Sequence, residues 1–420
     1  MEPLRGTKDI LPEEIRYWQK IYEIVTKILT QNNYHEIRTP IIENTELFLR
    51  SIGSFTDIIN KEMYTFHDQS SRSITLRPEG TASITRSFIS NKLYLGNKIQ
   101  RLWYLGPMFR YERPQKGRQR QFHQLGIECI GSPMPIAEIE VIRIALKILE
   151  QLNVEKWSLE INSIGNTEER LKYTNDLKSY LNKYRNDLDE NSQKRLEDNA
   201  LRILDSKNKK TQEILNNGPK IKKYLETSSL QHFEIVCNYL NQLNIKYNIN
   251  DKLIRGLDYY NYTAFEIQTL NQNQQNTICG GGRYDNLIKQ LGGPNTPSVG
   301  WAIGLERLIL NMEQKSLIHK NKKIIYIAHS EISQADMIWE IINLMDIYQL
   351  TFELDISNNN LNKQLRKANQ LGAKLCFIIS NNEITHQYVT VKWLDTSTQQ
   401  QVPLYQLNNY LKYIKFSLKT

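Results

Sequence analysis

The stretch Leu253-Ile254-Arg255-Gly256-Leu257-Asp258-Tyr259-Tyr260 constrains this chain more than any other. It sets a guanidinium, a carboxylate and two phenols among apolar residues, a mixture too polar for ordinary core, so the fold has to supply partners for them. Gly256 permits a backbone geometry that a residue with a Cβ resists. Arg255 offers a planar fork matched to a carboxylate or phosphate, and each tyrosine offers an apolar face with a polar tip. Alone, the stretch reads as an Arg-Gly turn at a strand edge. Three others complete a set: Arg77-Pro78-Glu79-Gly80-Thr81, Phe109-Arg110-Tyr111-Glu112-Arg113-Pro114-Gln115-Lys116-Gly117-Arg118 and Gly304-Leu305-Glu306-Arg307.

At 420 residues the chain is too long for one ordinary core, which predicts two or more domains. A hydrophobic fraction of 40% and a mean hydropathy of −0.54 indicate a soluble globular protein. No apolar run approaches the ~20 residues that span a bilayer. The N-terminus has neither an apolar leader nor an Arg/Ser-rich one, so the chain is expected to be made where it works or to have lost its leader. A net charge of +9 permits a nucleic-acid partner without requiring one. Cys129, Cys237, Cys279 and Cys376 lie far apart, which points to a reducing compartment and no cysteine-built zinc site. The bias towards Asn, Lys, Ile and Tyr, extreme at 271–276, reads as an AT-rich genome, as in some bacteria and in plastids.

Residues 12 to 31 have the pattern of an amphipathic helix, with Pro12 in the first turn, acidic Glu13 and Glu14 behind it, and Ile15, Tyr22, Val25, Ile28 and Leu29 at helical spacing. The β-prone run Ile37–Ile42 is interrupted by Pro40, which predicts an edge or interface strand. β-Prone segments flank a basic loop from 99 to 131, and Val299, Trp301 and Ile303 alternate ahead of a helix at Leu305. Together they predict an α+β fold, an antiparallel sheet with flanking helices rather than repeated βαβ units. Residues 168–248 are charge-rich and mainly helical in pattern, an insertion in that core. After a lysine-rich linker at 318–324 the pattern becomes β-α-β-α-β-β-α: strands at 324–328, 350–356, 375–379 and 388–393, helices at 334–347, 361–371 and 405–414.

The four charged stretches together resemble the histidyl-tRNA synthetase family of class II aminoacyl-tRNA synthetases. The resemblance runs from Leu4 to the C-terminal helix and includes Asn162-Ser163-Ile164-Gly165 and Leu201–Lys207. It implies a class II catalytic core over 1–320, with motif 1 around 37–48, motif 2 around 101–131 and motif 3 around 297–310. It also implies a helical insertion over 168–248 and an α/β anticodon-binding domain over 325–420. The reaction implied is ATP-dependent ligation of L-histidine to histidine tRNA through a histidyl-adenylate, with Mg2+ bound with the ATP and no metal site built from the protein alone. A homodimer joined partly through motif 1, no membrane association, and a soluble location in the cytoplasm or plastid stroma follow in the same way.

The resemblance assigns roles residue by residue, and each has a plainer alternative. Arg110 matches the arginine that holds the α-phosphate and the attacking carboxylate; alone it would pair across the strand with Glu112. Arg307 matches the γ-phosphate arginine, with the adenine between it and Phe122, and Arg118 joins the ATP site. Glu79 and Thr81 match positions that bind the α-amino group, where turn capping is the alternative. Gln124 is implied at the backbone end of histidine, Glu128 at one imidazole nitrogen and Tyr260 at the other, with Tyr259 nearby. A buried structural network is the alternative for Gln124 and Glu128. Arg255 is implied as the central catalytic cation, where a salt bridge to Asp258 is the alternative. Arg113 and Gln115 match readers of the extra guanosine of histidine tRNA, in a loop that otherwise reads as solvated surface. The glycines of Gly280-Gly281-Gly282 are implied to let the backbone approach the adenylate; Cys279-Gly280 stands where the family has a small residue such as alanine before the glycine pair, a mild change. Two other functional classes compete: a regulatory subunit for the first enzyme of histidine biosynthesis, or an uncharged-tRNA sensor. A class II synthetase for another amino acid is a third.

Overall fold

The computed structural model describes residues 1–53, 56–96, 98–154, 156–269, 277–312, 324–330, 335–357 and 359–419. The chain divides into two compact units, Met1–Ile318 and His319–Thr420. The amide-rich run 271–276, Gln334 and all but the last residue of the expected linker lie outside the described residues.

The strands of the first unit are β1 (His35–Glu36), β2 (Ile42–Asn44), β3 (Tyr64–His67), β4 (Ser73–Leu76), β5 (Gln100–Phe109), β6 (Gln121–Ile130), β7 (Trp157–Ser163), β8 (Asn248–Ile249), β9 (Asn261–Thr269), β10 (Thr277–Arg283) and β11 (Ser298–Gly304). Eight form one sheet in the order β1-β5-β6-β11-β10-β9-β7-β8. Its pairings are antiparallel except at the two edges, where two-residue strands add in parallel. Strands β2, β4 and β3 make a separate small sheet.

The helices of this unit are α1 (Pro12–Gln31), α2 (Thr45–Ile52), α3 (Thr81–Ser90), α4 (Ile136–Gln151), α5 (Thr167–Asn182), α6 (Glu190–Asp198), α7 (Lys209–Asn216), α8 (Thr227–Gln242), α9 (Leu287–Gln290) and α10 (Leu305–Asn311). Helix α1 buries Trp18, Ile21, Val25, Ile28 and Leu29. Tyr22 stays partly in water and donates to Glu36 at 2.8 Å. Helix α4 covers the sheet, with Ile142, Ile144 and Ile148 in the same cluster as Trp301 and Ile303 of β11.

The run at 37–42 is not one strand. Pro40 has no N–H to donate, and the chain breaks into β1, in the large sheet, and β2, in the small one. Between them Arg77 Nη1 takes the carbonyl of Thr39 at 2.9 Å while its Nε takes that of Pro107 at 2.9 Å. The buried guanidinium thus ties this segment to β5.

From 167 to 242 the chain is mainly helical, broken by short 3-10 turns and connecting loops, and it packs directly onto the rest of the unit. Val236 and Leu240 of α8 belong to the main core. Tyr173, Leu177, Leu196 and Leu215 from α5, α6 and α7 share a cluster with Tyr259, Tyr260 and Tyr284.

The second unit has strands β12 (Ile325–His329), β13 (Phe352–Leu354), β14 (Leu375–Ile379), β15 (Tyr388–Trp393) and β16 (Gln399–Pro403) in the order β13-β12-β14-β15-β16. Three elements here differ from the sequence expectation. A short helix, Asn381–Thr385, is closed by a Ser380/Glu383 capping box, and β16 is built largely from glutamines whose exposed face carries no apolar alternation. The strand expected at 350–356 is confined to Phe352–Leu354.

Candidate active site

The strands β6, β11, β10 and β9, the loop between β5 and β6, the entry to α3 and the segment Ile254–Tyr260 line a cavity of about 750 Å³. Glu79, Thr81, Arg110, Arg118, Phe122, Gln124, Arg255, Tyr259, Tyr260 and Arg307 all face it. Arg202, Asp205 and Lys207, between α6 and α7, complete the wall. Arg113 and Gln115 do not line it; both are exposed on the β5–β6 loop. Glu128 is also absent from the wall. It lies one hydrogen bond behind it, accepting from Thr81 Oγ1 at 2.7 Å and from the phenol of Tyr284.

Glu79 begins the turn into α3. Its two oxygens accept from the backbone N–H groups of Thr81 and Ala82, each at 2.7 Å, so the carboxylate caps the helix as well as facing the cavity. Burial raises its pKa, and those bonds and the Arg110 charge pull it back. Glu128 is 1% exposed. Burial pushes its pKa up to about 8, against the lowering effect of the Tyr284 and Thr81 hydroxyls.

The loop cations are tethered rather than loose. Arg110 Nε donates to the Pro78 carbonyl at 2.8 Å and its guanidinium stands 5.2 Å from the Phe122 ring centre. Glu112 lies 3.7 Å from Arg110 and 2.6 Å from Arg118, so the Arg110–Glu112 pair exists but Arg118 is the closer partner. Arg307 sits on α10, which Glu306 pins to β6 by accepting from His123 N at 3.0 Å and facing its Nδ1 at 2.9 Å.

Arg255 does not pair with Asp258. Its Nη1 meets Glu266 of β9, and Asp258 instead accepts from Asn199 at 3.3 Å and faces Arg170 and Arg202. Gly280 lies against the guanidinium so closely that a Cβ there would collide with it. Gly256, by contrast, is not in the left-handed region; a Cβ there would come within 3.3 Å of Arg202, so tight approach is what it provides. The Tyr259 and Tyr260 rings pack at 4.6 Å, and burial pushes the Tyr260 phenol up to about 12.

Several groups escaped the sequence reading. Tyr104 of β5 packs where a Cβ on Gly80 or Gly126 would be, filling the strand face between Gln124 and Glu128. Glycines at facing positions were the available signal. Tyr284 and Glu266 lie outside the four stretches, and Glu112 and Glu306, though inside them, were assigned no site role; the four act by holding Glu128, Arg255, Arg118 and His123.

An antiparallel sheet bearing a cavity with arginines from a strand–loop–strand and from the helix after the last strand is the catalytic core of a class II aminoacyl-tRNA synthetase. Residues 6–308 match the family model described as histidyl-tRNA synthetase, and residues 326–414 match an anticodon binding domain. The chain belongs to the histidyl-tRNA synthetase family. It is 61% identical over 414 residues to the chloroplastic histidine–tRNA ligase of Gracilaria tenuistipitata var. liui, covering 99% of this chain and 98% of that one. It is 49% identical over 423 residues to the histidine–tRNA ligase of a Cyanothece species, covering 99% and 98%. The apo structure of Staphylococcus aureus histidyl-tRNA synthetase superimposes with a TM-score of 0.81 at 33% identity, covering 98% of this chain and all of that one. No described helix is long and apolar enough to cross a membrane.

Proposed function

We propose that the cavity binds histidine and ATP side by side and divides their chemistry among the residues that line it. The overall reaction is that of the family: ATP, L-histidine and histidine tRNA give histidyl-tRNA, AMP and diphosphate. In the first step a histidine carboxylate oxygen attacks the α-phosphorus and the bond to the diphosphate oxygen breaks. In the second, a tRNA hydroxyl attacks the acyl carbon and AMP leaves. Neither step needs a protein nucleophile.

Arg255 and Arg110 hold the carboxylate and the α-phosphate, Arg307 takes the γ-phosphate with the adenine between its guanidinium and Phe122, and Arg118 joins the ATP site. Fixed cations placed where charge moves are worth most in a site sheltered from water. Mg2+ enters with ATP as part of the substrate. Glu79 and Thr81 receive the ammonium group, and Gln124, whose buried Oε1 has no partner among the described residues, adds an acceptor beside them. Glu128 and Tyr260, with Tyr259 behind, grip the two imidazole nitrogens. Each carboxylate oxygen of Glu128 already accepts one hydroxyl and has capacity for another donor. A site built to satisfy both ring nitrogens is left with unpaired buried groups by any other amino acid, a mismatch able to reject analogues by ~10⁴-fold without editing.

Arg113 and Gln115 meet the acceptor end of the tRNA, the second unit its anticodon, and two chains pair through the segment around 37–48. The plastid stroma is the compartment this reading favours, since a 61% identical relative is chloroplastic. The observation that carries the proposal is the shared cavity of Arg110, Arg255 and Tyr260 with Glu128 directly behind it. Arg255→Ala should lower histidine-dependent ATP–diphosphate exchange by about a hundredfold or more while the protein stays folded. Near-normal exchange would remove Arg255 from the mechanism.

A further inference from the structure

Glu266 lines the cavity but has no part in the roles above. It stands on β9 opposite Gly280 of β10, and its Oε1 engages Nη1 of Arg255. Its other oxygen accepts from Thr277 Oγ1 at 2.9 Å and from Gln268 Nε2 at 3.0 Å, so the carboxylate is itself anchored. Both partners of the ion pair are mostly buried, each with 16% side-chain exposure. Gly280 closes against the guanidinium with no room for a Cβ. Arg255 is therefore held along one edge and against one face. Its Nε is buried and has no hydrogen-bond partner among the described residues, a donor left unspent.

The sign of Glu266 is the informative part. A carboxylate here repels both a triphosphate and an amino-acid carboxylate, so it works against ground-state binding of either. A buried ion pair is also weak as a stability device, because desolvation offsets most of the attraction. What it does supply is orientation. We propose that Glu266 is a positioning residue for amino-acid activation: it locks the Arg255 fork so that the remaining donors, Nε–H among them, meet the substrate carboxylate and the α-phosphate as charge moves between them. This rests on the role assigned to Arg255.

The test uses full-length Glu266→Gln, Glu266→Asp and Arg255→Ala in histidine-dependent ATP–diphosphate exchange, with ATP, histidine and Mg2+ each varied. Glu266→Gln should lose about tenfold to a hundredfold in kcat, the range seen when a group that orients a primary ligand is removed. Its KM for ATP should be unchanged or lower, because a repelling charge has gone. Glu266→Asp, which keeps the charge on a shorter stem, should recover part of kcat. A kcat for Glu266→Gln equal to the parent would overturn the inference. So would a raised KM for ATP cured by excess Mg2+, which would make Glu266 a metal ligand. A loss of activity matched by an equal loss of folded protein in a thermal melt would reduce the pair to a structural one. If Arg255→Ala is inactive and Glu266→Gln normal, only this inference fails; if Arg255→Ala is itself near normal, the reading of Arg255 falls and takes the inference with it.

Discussion

Burial pushes the Glu128 carboxyl up to about 8, and that has a measurable consequence. Its folded-state pKa of about 8 lies above the ordinary 4.5, so between these values the folded chain holds a proton that the unfolded chain has released. The stability this provides is complete below the lower value and is lost as pH rises through the upper one. Glu128→Gln cannot ionise, so the stability of the parent relative to this variant should fall steadily from pH 5 to pH 8 in urea melts. A flat difference would mean that Glu128 is ionised in the free protein. Residues of this kind were only partly legible. Arg110, Arg307, Glu79 and Tyr260 stand in recognisable stretches and all reach the cavity. The partner of Arg255 was not legible, because Glu266 lies on a strand eleven residues away and only the β9–β10 register brings it opposite Gly280. Glu79 shows that alternatives need not exclude each other: both its oxygens cap α3, and the same residue lines the cavity.

At the scale of elements, long periodic segments read well and short ones did not. Helix α1 was marked by proline, acidic residues and spacing, and it buries that face. The alternation of Val299, Trp301 and Ile303 is β11, in the middle of the sheet. The split at Pro40 and the glutamine strand β16 were hidden, since a two-residue or amide-rich strand owes its existence to neighbours rather than to its own pattern. Strand β10 makes the sharpest element-level prediction. Gly280→Val puts a branched side chain into the space of the Arg255 guanidinium, so exchange should drop about tenfold or more while circular dichroism shows a folded protein, overpacking being local in its cost. Unchanged exchange would show that Arg255 works from another position. The β5–β6 loop makes the complementary one. Arg113 is exposed and off the cavity wall, so Arg113→Glu should damage tRNA aminoacylation far more than adenylate formation. Equal losses in both would argue against a tRNA role.

For the whole molecule, the segment 168–248 was expected as a mainly helical insertion within the core, and side chains from its helices build part of the floor under Tyr259 and Tyr260. Apolar positions on short helices do not announce which neighbour they will meet. The second unit has its own core of Ile325, Ile327, Phe377, Val391 and Leu411. Removing residues 324–420 should therefore leave histidine-dependent exchange measurable while abolishing tRNA charging at ordinary tRNA concentrations. Gel filtration should give a two-fold dimer, and a strictly monomeric active species would count against the assignment of 37–48 to an interface. The decisive measurement is a crystal structure with L-histidine and a non-hydrolysable ATP analogue. It should place one imidazole nitrogen within hydrogen-bond distance of Glu128 and the other within reach of Tyr260, with the α-carboxylate on Arg255. Histidine bound with its ring away from Glu128 and Tyr260, or with Arg255 turned from both ligands, would contradict it.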